Sequence, residues 1–423
     1  MRLTILHTND IHGRERRIAQ IATIVEREQA ASDHPVIYLD AGDVEETTNR
    51  LSNLTKGTAM HRLMNHTGCA AATVGNACWL RYGPAVLAEH ARAARYPLLL
   101  ANLQPVEGPV PSVLLGDVGV IGLTASFADF FENDFDWGFR PLSEVEVART
   151  RARQLREAGA SLVVVLSHLG LADGYNSGIS DRGLARELQG EIDLIVGAHS
   201  HDLLPEGEWV GGVLIAQAGC YGDHIGRIEI DGAQLTATVE PVPDDTPLHP
   251  AVLAEAALIE PEVRSLLDEE IGVLDSPLDG DWIAAMLRER MGAEVGLVAA
   301  GQALVVDAIP PGPLTRGALW EACESPANPG VANVSGELLA RMVERGNDPA
   351  FVAETPRPLR GRMRGRLHVS GPDRFDPARD YVVAATDWEL EHYGGLVERD
   401  WGIRVRYDFP TIVREAIEEH LAR

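Results

Sequence analysis

Five short segments carry residues able to hold metal ions: Asp10-Ile-His12, Gly42-Asp43, Gly75-Asn76, Ser167-His168 and Gly197-Ala-His199-Ser-His201. Each adjoins the end of an apolar run that reads as a β-strand, the place where open α/β sheets gather their sites. Together they supply two carboxylates (Asp10, Asp43), one amide (Asn76) and four imidazoles (His12, His168, His199, His201). Mixed nitrogen and oxygen donors suit borderline divalent ions, Mn²⁺ or Zn²⁺ first and Fe next, whereas Mg²⁺ prefers oxygen alone. Two such cations about 3.5–4 Å apart lower the pKa of a bridging water, neutralise phosphoryl oxygens and align the attack. Asp43 can place one oxygen on each ion and is the candidate bridge. In the steps Asp10-x-His12 and His199-x-His201, an extended backbone would point both side chains the same way. Either step alone is weak. Five polar clusters, each behind its own apolar strand, predict a pair of divalent cations and the hydrolysis of phosphoesters.

The elements that must position these residues follow from periodicity. Strands are expected at 3–6, 36–39, 72–74, 98–100, 162–166, 194–196, 213–216, 225–230 and 235–239, and helices at 18–30, 59–65, 85–94, 144–158 and 184–188. Residues 113–115 and 118–123 flank Gly116-Asp117 and read as a hairpin. This order fits mixed sheets layered with helices. A Pro- and Asp-rich joint, Pro241-Val-Pro-Asp-Asp-Thr-Pro247, precedes a helix at 250–270. Beyond it, helices are expected at 282–291 and 336–344 and strands at 295–299, 364–369 and 381–386. The expected organisation is a domain at 1–245, a linker with a helix at 246–274 and a second domain at 275–423.

With 423 residues the chain is too long for one comfortable core. Its 63 acidic against 37 basic residues give a formal charge of -26, which repels nucleic acid and anionic membranes. A small phosphorylated partner must therefore be held locally, by metal or by Arg. Cys69, Cys78, Cys220 and Cys323 share no ligand-like spacing. The chain opens on a strand, with no apolar leader ahead of it and no run of 18 apolar residues, so a cytoplasmic protein is expected.

The segments HTNDIHG (7–13), GD (42–43), GN (75–76), SHLG (167–170) and GAHSHD (197–202) resemble the calcineurin-like metallophosphoesterases. More narrowly, together with LSNLTKGTAMHRLMN (51–65), Ala101-Asn102 and QAGCYGDHIG (217–226), they resemble the 5'-nucleotidase / UDP-sugar hydrolase / cyclic-nucleotide phosphodiesterase family. The resemblance implies a four-layer α/β/β/α sandwich followed by a smaller α+β domain. It implies one metal on Asp10, His12, Asp43 and His201 and another on Asp43, Asn76, His168 and His199. Nucleotides are the substrates it implies first.

Two departures from that pattern shape the expectations. Where the family continues Gly-Asn-His-Glu-Phe-Asp, this chain reads Gly75-Asn-Ala-Cys-Trp-Leu80. Ala77 thus stands for the usual catalytic His, and a degenerate motif of a leaderless bacterial branch is expected. Such a protein would be a slow hydrolase, a metal- and ligand-binding homologue with impaired catalysis, or a hydrolase of a non-nucleotide phosphate or sulfur ester. Cys78, Arg81 and His7 are the local candidates to replace the missing acid, and Asp43 and Asn76 of the metal centre are the other catalytic candidates. In the second domain, Ser325-Pro-Ala-Asn-Pro329 and the run from Asp387 to Leu396 replace the family's nucleoside clamp. Trp388 and Tyr393 are the remaining aromatic candidates, with Asn102 and Asn328 as polar ones. The alternating run Arg360-Gly-Arg-Met-Arg-Gly-Arg366, if extended, would direct its guanidinium groups, Arg362 and Arg364 among them, to one strand face.

Overall fold

The computed structural model describes residues 2–77, 79–125, 138–173, 178–355, 363–408 and 410–423. Cys78 and Arg362, with Arg357 and Arg360, fall outside them. Two compact units divide the chain, with the boundary at Pro261 and Glu262.

In the first unit, strands Arg2–Thr8, Val36–Asp40, Cys69–Thr73 and Leu98–Leu99 lie parallel in that order. The antiparallel hairpin His224–Asp231/Gln234–Pro241 extends their sheet past Arg2–Thr8. In a second six-stranded sheet, Val118–Thr124, Leu162–His168, Leu194–Gly197 and Val213–Ala216 are parallel neighbours, and Ser112–Leu115 and Glu208–Val210 close its two edges.

Side-chain alternation explains how the layers stack. Leu3, Ile5, Leu39 and Ala71 of the first sheet share one buried cluster with Val120, Val164, Leu166, Val196 and Leu214 of the second, so the sheets face each other. The intervening residues Ile121, Val163, Val165, Ile195 and Ile215 point the other way. They pack there with Ala148, Ala152 and Leu155 of helix Glu144–Glu157 and with Leu184 and Ala185 of helix Asp181–Glu187. Helix Glu15–Ala31 buries Ile18, Ile21, Ala22 and Val25 at helical spacing and lies against strand Val36–Asp40. The result is helix, sheet, sheet, helix. Ser143 and Ser180 start their helices by accepting hydrogen bonds from the N–H groups of Glu146 and Gly183.

The second unit is smaller and of α+β type. Its five-stranded sheet runs Leu367–Ser370, Val295–Ala299, Asp380–Thr386, Pro329–Ser335, Val405–Tyr407. Ile283 and Leu287 of helix Gly280–Arg290 and Val413 and Ile417 of helix Val413–Leu421 share a buried core with Val298 and Ala384. The Arg-bearing strand expected from residue 364 is corrected here. The strand begins at Leu367, and Gly365, at φ +73°, breaks the extended run ahead of it.

Candidate metal centre

Because the central strands are parallel within each sheet, the loops after Thr8, Asp40 and Thr73 leave one sheet at a common edge. Those at His168 and Gly197 do the same in the other. The expected extended geometry of Asp10-x-His12 and His199-x-His201 is corrected by the backbone. Asp10 (φ 52°), His12 (50°), Asp43 (55°), His199 (71°) and His201 (59°) all adopt the left-handed region. Each such residue costs roughly 1–3 kcal/mol and persists only where the surroundings over-determine it. Here the pairing of the first two strands continues into their loops. The N–H groups of Asp10, His12 and Gly13 donate to the carbonyls of Gly42, Asp43 and Val44 at 2.9, 2.9 and 2.8 Å.

Those turns bring the side chains together. Asp10 Oδ1 lies 3.4 Å from His201 Nε2 and 3.8 Å from the Nε2 atoms of both His12 and His168. Asp43 Oδ2 lies 3.2 Å from His168 Nε2 and 3.9 Å from His12 Nε2. Two donor groups result, Asp10–His12–His201 and Asp10–Asp43–His168, each with its ligand atoms within 4.8 Å of one another. Asp10 belongs to both groups, and Asp43 reaches imidazoles on both sides. The tilted rings of His199 and His168 have centroids 5.2 Å apart, and Asn76 places a buried Oδ1 with no hydrogen-bond partner. Asn9, overlooked in the sequence inside the His7–Gly13 motif, orients Asp10: its Nδ2 donates to Asp10 Oδ2 at 2.8 Å and its Oδ1 accepts from the Ala218 N–H.

The electrostatics ask for cations. Burial alone would lower the His168 imidazole, but the charge of Asp43, its hydrogen bond and Asp10 outweigh it and raise the group to about 9. Burial likewise opposes protonation of His201, yet hydrogen bonds and charge from Asp10 and Cys220 push it up to about 11. Burial works to raise Asp10, and the hydrogen bond to His201 with the charges of His168, His201 and His12 holds it far below the usual carboxylate range instead. Without metal, protons on the imidazoles balance the carboxylates; divalent ions would replace those protons. His168 Nδ1 faces the Ala41 carbonyl at 2.8 Å, the outer hydrogen bond that fixes a ligating imidazole. The donor set thus fits a pair of divalent cations.

The expected degenerate histidine motif, and with it a hydrolase whose usual His is lost to Ala77, is corrected by these groups. His12, His168 and His201 stand intact beside their carboxylates, and His61 and His90 stand in a further buried group with Glu45. No histidine of these groups is replaced. Position 77 contributes a backbone N–H that donates to Asp43 Oδ1 at 2.8 Å. Sequence reading missed Glu45, His61 and His90 because no spacing between them marks the three as one group.

The other candidates are placed as follows. Arg81 lies on the short helix Trp79–Tyr82. His7 is fully buried, and burial lowers it to about 4. Asn102 is buried, its Nδ2 donating to the Thr124 carbonyl and its Oδ1 accepting from the Thr124 N–H. In the second unit, Asn328 donates to the Thr411 carbonyl. Trp388 and Tyr393 meet edge to face at 5.0 Å, and Tyr393 donates to Asp387. Arg364 stacks on Phe351 and bonds Glu354 and the Gly394 carbonyl.

Comparison with known proteins agrees with this geometry. Residues 3–203 match the calcineurin-like phosphoesterase family. The uncharacterized metallophosphoesterase YunD of Bacillus subtilis is 25% identical over 91% of this chain and 88% of its own length. Snake venom 5'-nucleotidase of Naja atra is 26% identical over 68% of this chain, which spans 62% of that protein. The crystal structure of a 5'-nucleotidase precursor from Thermus thermophilus superimposes with a TM-score of 0.63 at 22% identity, covering 100% of this chain and 96% of the other. The chain has the fold of a calcineurin-like phosphoesterase sandwich followed by a smaller α+β unit, as in 5'-nucleotidases.

Proposed function

We propose that the protein is a dinuclear metal-dependent hydrolase of small phosphoesters, with nucleotides the first substrates to try and Mn²⁺ or Zn²⁺ the first ions. The observation that carries this reading is Asp10, shared by two groups of donors on the loops of two facing sheets. Bound there, two divalent cations supply Lewis acidity and neutralise the charge of a phosphoryl group. Asp10 and Asp43, with the imidazoles around them, would hold these ions. Asn9 and the Ala41 carbonyl fix the orientation of Asp10 and His168. Similarity to a snake venom 5'-nucleotidase and to a bacterial 5'-nucleotidase precursor supports nucleotides as substrates.

Protein stripped by a chelator and reloaded with Mn²⁺ or Zn²⁺ should hydrolyse an activated aryl phosphate and at least one nucleotide. It should lose that turnover when stripped again. Metal-replete protein inert toward every phosphomonoester, phosphodiester and nucleotide in a broad panel would end the proposal.

A further inference from the structure

The described residues hold one more cluster of side chains able to hold a metal ion, between the Asp43 loop and two helices. Glu45 lies in the loop that also carries Asp43, His61 on helix Thr58–Met64 and His90 on helix Val86–Ala93. Glu45 Oε1 is 2.6 Å from His61 Nε2 and 3.2 Å from His90 Nδ1, and the two rings are 4.6 Å apart. All three residues are buried, at 7%, 2% and 1% exposure.

The outer ring nitrogens decide what this cluster asks for. His90 Nε2 lies 2.6 Å from the Lys56 carbonyl. A carbonyl only accepts, so Nε2 carries the proton and a neutral His90 turns its Nδ1 lone pair toward the Glu45 carboxylate. Two electron-rich atoms facing each other inside a protein need a proton or a metal cation between them. His61 Nδ1 pairs with the Tyr96 hydroxyl at 2.8 Å, a group able to accept from Nδ1 and so leave the Nε2 lone pair facing Glu45 too. Both rings thus have their far nitrogen fixed by an oxygen, the arrangement that orients ligating imidazoles. The backbone is bent to achieve it. Lys56 (φ 48°) and Gly57 (φ 88°) are consecutive left-handed residues, and a Cβ on Gly57 would fall 2.7 Å from His90 Nε2.

We propose that Glu45, His61 and His90 bind a third divalent cation of the zinc type, which fastens the Asp43 loop to two helices. Two imidazoles and a carboxylate are an ordinary zinc set that leaves the fourth position to a water, here enclosed with its ligands. Donors about 2.0–2.1 Å from a tetrahedral ion sit roughly 3.3 Å apart, so the present separations need to open by less than about 1 Å. Burial of all three ligands leaves no open face for a substrate, which makes the role structural.

The full-length protein, stripped, reloaded with excess Zn²⁺ and desalted, should carry three ions per chain by native mass spectrometry. The double variant His61→Asn/His90→Asn should carry two and melt at a lower temperature. Asp10→Asn should keep the ion at this cluster, so loss of the dinuclear pair and loss of the third ion are told apart. A wild-type count of two, or a double variant that still binds three, overturns the proposal. Should the double variant not fold, cadmium NMR of the wild type decides: three signals support the third site, and two refute it.

Discussion

Among the described residues of the first unit, two groups of carboxylates and imidazoles able to hold metal are built in opposite ways. The centre around Asp10 and Asp43 stands on strand-end loops with five residues in the left-handed region, and its His12 and His201 side chains are 14% and 28% exposed. The group around Glu45 takes its imidazoles from two helices, and both are only 2% exposed. Left-handed backbone lies under the donors themselves in the first centre and beside His90, at Lys56 and Gly57, in the second. The clearer difference is burial: the first centre keeps imidazoles open to a ligand, and the second is closed. The contrast teaches that the same donor chemistry can be set in an open loop or in a closed pocket by the elements that carry it.

The largest effect should come from Asp10. Asparagine tolerates left-handed φ, so Asp10→Asn and Asp43→Asn keep the loop geometry while removing charge. Because Asp10 belongs to both donor groups, its variant should lose both ions of the pair and about 10³-fold or more of kcat/KM. That corresponds to several kcal/mol of lost transition-state stabilisation at about 1.4 kcal/mol per tenfold. Asp43→Asn should lose less metal. Elemental analysis beside steady-state kinetics reads both effects, and equal metal loss in the two variants would remove the special place given to Asp10.

The metal-stripped protein sharpens the contrast through pH. Folding raises the proton affinity of His168 and His201, so the stability they contribute is complete below the unfolded imidazole value of about 6.5. It is lost as pH rises, through about 9 for His168 and about 11 for His201. The stripped protein should therefore melt at progressively lower temperature between pH 6.5 and 9. Metal-loaded protein should not, since its carboxylates are balanced by ions. A stripped protein whose Tm rises over that interval contradicts the electrostatic account.

Much of the first centre was legible because each ligand lies beside an apolar run in the sequence. The loop geometry was not. Period-two reasoning assumes extended backbone, whereas the left-handed turns depend on hydrogen bonds between loops more than thirty residues apart, such as Asp10 to Gly42. Ala77 misled for a related reason: a missing side chain was read as a missing function, and only the fold shows its N–H on Asp43. Glu45, His61 and His90 were invisible because a loop and two helices from separate parts of the chain bring them together. Asn102 shows the reverse error, an amide that looks available in the sequence but is spent on Thr124. In the second unit, the alternation of Arg residues suggested a strand that Gly365 interrupts.

The smallest expected effect concerns an imidazole that belongs to neither group. His7 sits on strand Arg2–Thr8 directly across from Gly226, buried, with neither ring nitrogen hydrogen-bonded. Burial therefore keeps it neutral, lowered to about 4, and it shapes the sheet rather than its charge. A Cβ built on Gly226 would fall 2.0 Å from His7 Nε2, so the ring occupies the space that a side chain there would need. Gly226→Ala should cost about 1–3 kcal/mol of unfolding free energy, the usual range for overpacking. Two residues in direct contact should not act independently. In a His7→Ala background the same Gly226→Ala change should cost markedly less, as read by denaturant unfolding of all four members of the cycle. A full penalty without the ring would mean that the strand itself requires glycine at 226, and that His7 is there for a reason other than filling that space.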